Sequence, residues 1–272
     1  MSGNVSMIRI LATTIVGSTL TFLALPIAVV IVVSFSSADY LTFPPPAFGF
    51  RWYAAYFGNV AWLNATLLSL WVGAAVVSLS VVLGTLASVG IQRLPQPLRI
   101  AVTSLVLSPL IVPTIVVAIG IYYAYARYGL IGSPVAIVLA HTCLAVPFVV
   151  TTVSASLAGI DPRLSQAALS LGATPSGTFW QVTLPLIRPG MLVGALFAFL
   201  TSFDEVVVAL FLSGSGAVTL PRHMWDEVRF QLDPTIAAVS TLTVFLMVML
   251  VSAARFLRKR SEQFGKGVSH RP

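Results

Sequence analysis

The sequence predicts an all-α protein that crosses a lipid bilayer about six times, and three observations carry that expectation. Of its 272 residues, 57% are hydrophobic and 8% charged, whereas a soluble domain is about 25% charged; such a chain has too little polar surface to cover itself in water. The apolar residues form long uncharged runs: Ile10 to Ala38, Trp52 to Gln92, Ile100 to Ala126, Tyr128 to Ile160, Pro189 to Phe203 continuing past an acidic pair, and Pro234 to Ala254. Each can supply the roughly 20 residues of a membrane helix. The basic residues gather in the short segments that flank these runs.

The runs place helices near 8–36, 62–90, 98–125, 131–158, 189–213 and 234–257. The first run exceeds the 7 to 15 apolar residues of a secretory h-region and shows no persuasive cleavage site, so it reads as a retained helix. Phe43-Pro44-Pro45-Pro46 and Trp52-Tyr53 then read as an extended outer loop ending at an aromatic interfacial belt. Prolines 26, 109, 113 and 147 lie inside predicted spans, where neighbouring helices can satisfy the carbonyls they leave free. The resulting division is a first helix and outer loop (1–61), a five-helix core (62–257) and a basic tail (258–272).

Six crossings put both termini on one side. If that side is the cytoplasm, its segments hold Arg9, Arg93, Arg99, Arg163, Arg188, Arg255, Arg258, Lys259, Arg260, Lys266 and Arg271, eleven of the fifteen basic residues. The positive-inside rule selects that orientation. The net charge of +7 is thereby explained by topology, and no nucleic-acid partner is expected. The single cysteine, Cys143, excludes an intrachain disulfide. His141, His223 and His270 are too scattered for a metal site, and no paired nucleophile and base is visible. His141 is expected to hydrogen-bond across helices.

Asp204 and Glu205 fall about 15 residues into the fifth predicted helix, roughly 22 Å along its axis at 1.5 Å per residue. Carboxylates at that depth are costly and usually face a cavity or a partner. With Phe203 they are the candidate pathway residues, and an acidic pair favours a cationic cargo. A salt bridge with Arg127 or with a partner subunit is the structural alternative.

The long semi-polar segment 161–188 is not apolar enough to span. Asp161-Pro162 is a helix start, with Asp at the cap and Pro in the first turn. Leu164, Ala167, Ala168 and Leu171 recur at helical spacing, Gly172 can stop that helix, and Thr174-Pro175 can open a second short one toward Trp180. This loop resembles the EAA loop of ABC-importer permeases: Gln166-Ala167-Ala168, three residues, Gly172, nine residues, then Val182-x-Leu184-Pro185. Gln166 stands where that pattern has Glu, which removes any ion pair the carboxylate would make. The stretch from Ser202 to Phe211, with Leu220-Pro221 and Asp233 to Ala238, is similar to the second permease of spermidine/putrescine importers. Relatives with this segment also serve opines and other amino compounds.

The resemblance implies a type I ABC importer permease (MetI-like) fold in a bacterial inner membrane. Gln166, Ala167, Ala168, Gly172, Leu184 and Pro185 would form the coupling element for an ATPase dimer. A second, different permease and a periplasmic substrate-binding protein complete the implied assembly. A short outer helix, Arg222 to Gln231, with Trp225, Asp226 and Glu227, would serve as outer gate or docking surface. No Walker A pattern occurs and the only lysines, Lys259 and Lys266, lie in the tail, so ATP and Mg are expected on the partner ATPase and no cofactor on this chain. The rival class is a secondary transporter driven through Asp204 and Glu205, which leaves the 166–185 spacing unexplained.

Overall fold

The computed structural model describes the backbone of residues 2–214, 216–230 and 233–268, and side chains from Arg9 to Phe256 except Ile10, Ser215, Gln231 and Leu232. The side chains of the basic tail, His270 and the expected helix end at Gln231 lie outside the described residues. The chain divides into two compact units, residues 1–63 with 226–246 and residues 64–225 with 247–272.

In the first unit, α1 (Ser2–Ser34) exposes nearly its whole apolar surface, including Leu11, Leu20 and Phe22. Such a helix is compatible with hydrocarbon and not with water. After it the chain is not simply extended. Ser36 and Phe48 form an antiparallel bridge, and Arg51–Gly58 is a short helix, α2. Phe35 and Phe50 meet edge to face at 5.5 Å, and Tyr53 shares a 2.8 Å hydrogen bond with Ser34. Arg51 pairs with Asp39 at 2.6 Å and lies over the Trp52 ring at 4.7 Å. The loop expected to be extended up to Trp52-Tyr53 is therefore folded at its end into α2, held by aromatic contacts.

The second unit is built from α3 (Val60–Gln92, from Asn64 onward), α4 (Gln96–Ile111), α5 (Thr114–Ala126), α6 (Pro134–Ala158), α7 (Pro162–Ser170), α8 (Pro175–Thr178), α9 (Leu184–Phe203), α10 (Val207–Leu212) and the start of α11 (Leu220–Phe230). The last helix, α12, is Thr235–Val268. It continues past the expected end near 257 into the basic tail.

α6 is the axis of this unit, with Ile137, Val149 and Val153 fully buried. Lipid tails are as apolar as these side chains, so close packing rather than the hydrophobic effect must hold α6 and α9 together. Gly190 and Gly194 make that packing possible. A Cβ on Gly190 would lie 2.8 Å from the Thr152 carbonyl, and one on Gly194 2.7 Å from Thr152 Oγ1 and 3.0 Å from Val149 Cα. On the other side of α6, Ser88 of α3 donates to the Val150 carbonyl at 3.3 Å.

Five helices are long and apolar enough to cross a membrane, and a sixth span arises if α4 and α5 are taken as one. That third span, expected as a single helix over 98–125, is instead bent by 104° between Ile111 and Thr114. Pro113 has no N–H for the i−4 carbonyl and disfavours helical backbone at Val112, which is extended (φ −73°, ψ 132°). The fifth span is also corrected. The helix expected over 189–213 begins earlier, is continuous from Pro175 to Phe203, and breaks at 204–206 before α10.

Candidate functional site

The 161–188 loop folds as its local signals dictate. Asp161 accepts the Arg163 N–H at 2.9 Å and caps α7. At the other end the Ala173 N–H bonds to the Ala168 carbonyl and the Gly172 N–H to the Leu169 carbonyl, each at 3.0 Å. That is the Schellman pattern, with Gly172 at φ +88°. Nothing lies within 4 Å of where a Gly172 Cβ would stand, so glycine is required there by backbone conformation and not by space. Thr174 Oγ1 accepts the Gly177 N–H at 3.1 Å and starts α8.

Residues Phe179–Thr183 then widen into a π-helical turn, in which the Leu184 N–H reaches back to the Phe179 carbonyl. The extra residue in the turn sits just before Pro185, whose ring would crowd the i−4 carbonyl of a regular helix. From Pro175 the helix thus runs without a break into α9. Gln166 and Ala167 are exposed, Ala168, Leu184 and Pro185 are half-buried, and Leu171 is 89% exposed. Behind α7 a cavity of about 130 Å³ is lined by Val89 of α3 and Arg93 just after it, with Ser165, Leu169, Thr178 and Thr183 among others.

The pathway candidates sit at the break in the fifth span. Phe203 is buried and stacked on Phe199 at 5.3 Å. Asp204 ends α9 and is exposed. Glu205 is half-buried, and its Oε1 accepts the Val208 N–H at 2.9 Å. The two carboxylates therefore do not ride on one continuous helix. Glu205 satisfies a backbone donor that the break leaves open, and Asp204 is exposed. No ion pair joins either of them to Arg127 among the described residues. One turn earlier His141 Nδ1 and Ser202 Oγ meet at 3.0 Å, both buried, which ties α6 to α9.

Trp225, Asp226 and Glu227 lie on α11, with Trp225 exposed and the two acids half-buried. Two contacts of α11 were not readable from the sequence because they join distant segments. The Leu220 N–H donates to Ser69 Oγ of α3 at 2.7 Å, and Arg222 Nη1 approaches the carbonyls of Ala209 and Ser213 at 3.4 and 3.5 Å. Arg222 thereby holds the C-terminal end of α10, and the Gly132 N–H caps Leu212 beside it at 2.9 Å.

Apolar spans, one of them broken at Pro113, with a polar helical loop that leads into a membrane helix, suit a transport permease. The family model described as "Binding-protein-dependent transport system inner membrane component" matches residues 80–263, and the chain belongs to that family. It is a polytopic inner-membrane protein and not a member of a catalytic family. It is 31% identical over 250 residues to the putrescine transport system permease protein PotI of Escherichia coli (strain K12), covering 89% of each chain. It is 27% identical over 241 residues to the spermidine/putrescine transport system permease protein PotC of Haemophilus influenzae, covering 88% of this chain and 93% of the relative. The molybdenum transport system permease protein ModB of Mycobacterium bovis is 34% identical over 205 residues, 69% of this chain and 76% of its own length. Among solved structures, a bacterial ABC transporter that imports the acidic polysaccharide alginate superposes with a TM-score of 0.74 at 13% identity, covering 92% of this chain and 96% of that one.

Proposed function

We propose that this chain is one permease subunit of an ATP-driven importer for polyamines, putrescine or spermidine. The observation that carries the reading is the 166–185 loop, whose capped helix α7 turns at Gly172 into a second helix that runs through the π-helical junction into α9. In this reading the exposed Gln166-Ala167 face and Gly172 turn dock on an ATPase dimer, which binds the ATP and Mg, and Leu184-Pro185 passes the movement to the membrane. Gln166 gives the ATPase a neutral hydrogen bond in place of an ion pair. Both termini lie in the cytoplasm, a second and different permease completes the pathway, and Trp225, Asp226 and Glu227 meet a periplasmic binding protein.

The cargo assignment draws on the putrescine and spermidine relatives and on the sign of charge at the break. Asp204 and Glu205 set a negative field there, which favours a cation and opposes an anion. An opine or other amino compound is the second reading, since an ammonium group meets the same field. The reading is tested by the ATPase activity of the complete reconstituted importer with binding protein and putrescine, spermidine or an opine in turn. Stimulation by a polyamine supports it; stimulation by the opine alone moves the cargo to that class.

A further inference from the structure

The cavity of about 130 Å³ behind α7 joins parts of the chain that the sequence keeps apart. Arg93 reaches it from the end of α3, Ser165 from α7, Thr178 from α8 and Thr183 from the π-helical turn, with Leu169 and Phe179 as apolar wall. Its polar lining is one guanidinium and three hydroxyls, and among the described residues no carboxylate lines it. Thr178 is 6% exposed and its Oγ1 is buried without a hydrogen-bond partner. An unpaired buried hydroxyl is costly and asks for a partner from outside the chain. No ion pair engages Arg93 among the described residues. Arg93, Arg99, Arg163 and Arg188 flank the region against a single acid, Asp161, which is already engaged in capping α7. The field there is positive and favours an anion. Sites for organic molecules span about 300–1,000 Å³, so cargo and nucleotide are too large, while an oxyanion of a few heavy atoms fits.

We propose that this cavity binds a phosphate group through Arg93 and the hydroxyls of Ser165, Thr178 and Thr183, and that the bound anion braces the 161–188 loop against the end of α3. A guanidinium fork takes two phosphate oxygens at once, and hydroxyls donate to the others. The apolar wall strengthens each contact by keeping water away. Arg93 directly follows the span Val60–Gln92, so free inorganic phosphate and the phosphate of a lipid headgroup both reach the cavity with the same chemistry. Bracing changes how the loop passes on movement; that consequence rests on the coupling reading above, and the site itself does not.

The test uses the full chain with its companion permease and without the ATPase, so that no nucleotide site takes up phosphate. In detergent, inorganic phosphate at about a hundredfold excess over its dissociation constant raises the thermal midpoint by about 5 °C relative to chloride of equal ionic strength. It also slows amide hydrogen exchange across 161–188 several-fold. Arg93→Gln loses both responses, Ser165→Ala weakens them, and Arg188→Gln, an exposed cation outside the cavity, keeps them. A second arm compares exchange in phosphatidylcholine nanodiscs with and without phosphatidic acid. Slowing by phosphatidic acid alone assigns the phosphate to a lipid headgroup, and slowing by inorganic phosphate alone assigns it to the free ion. No response in either arm, or a response that Arg93→Gln retains, overturns the proposal. Should Arg93→Gln fail to fold, Ser165→Ala carries the same comparison, and an undiminished response there overturns it. In the complete importer, an Arg93→Gln that has lost the phosphate response yet spends the same ATP per cargo contradicts the coupling consequence, a result distinct from failure of the site.

Discussion

Glu205 Oε1 accepts the Val208 amide at 2.9 Å, so one acidic side chain both starts α10 and sets charge beside the exposed Asp204. The two roles separate by substitution. Glu205→Gln keeps an acceptor oxygen and removes the charge, and is expected to assemble normally while uptake falls. Glu205→Ala also removes the acceptor, at a cost of about 1 kcal/mol for a lost cap, and its thermal midpoint in detergent should drop below that of Glu205→Gln. Equal midpoints would show that the hydrogen bond contributes nothing.

Asp204→Asn is expected to assemble like the parent, because the side chain at the end of α9 is exposed, yet to reduce uptake of a cation. Normal polyamine uptake by both Asp204→Asn and Glu205→Gln would remove the acidic pathway.

Gly172 at φ +88° has open space around it, so a substitution acts through backbone strain alone. Gly172→Val should cost at least about 1–2 kcal/mol in that conformation, distort the loop and uncouple ATP hydrolysis from uptake. Gly172→Asn, which tolerates the left-handed region, should retain most coupling. If both variants couple like the parent, the loop is not the lever.

Gly194 packs within 3.0 Å of the α6 backbone at Val149 when a Cβ is placed on it. Gly194→Val is expected to force α6 and α9 apart and cost roughly 1–3 kcal/mol, seen as a lower thermal midpoint in detergent and a reduced yield of assembled complex. Gly17→Val in α1, where nothing lies within 4 Å, is the control and should leave the midpoint unchanged.

The loop was legible in the sequence because its signals are local: Asp161 and Pro162 start a helix, Gly172 stops it, and Thr174-Pro175 starts the next. The spans were legible as apolar runs, but their interruptions were not. Pro113 is visible, yet a kink and a 104° bend have the same local sequence, and the packing of the following half decides between them. The break at 204–206 was missed because Ser202 to Phe211 is otherwise apolar, and the capping role of Glu205 shows only once the chain has turned. Contacts such as Ser69 with Leu220, His141 with Ser202 and Arg222 with Ala209 join segments far apart. Of these, residue type gave a hint only for His141, whose buried ring requires a partner.

The central claim is that this chain carries a polyamine only as part of an ATP-driven assembly. Uptake of labelled putrescine and spermidine into vesicles, with the ATPase and the binding protein omitted in turn, tests it most directly. The account predicts saturable uptake that is lost when either component is left out. Polyamine accumulation driven by this chain alone, without ATP, would contradict it.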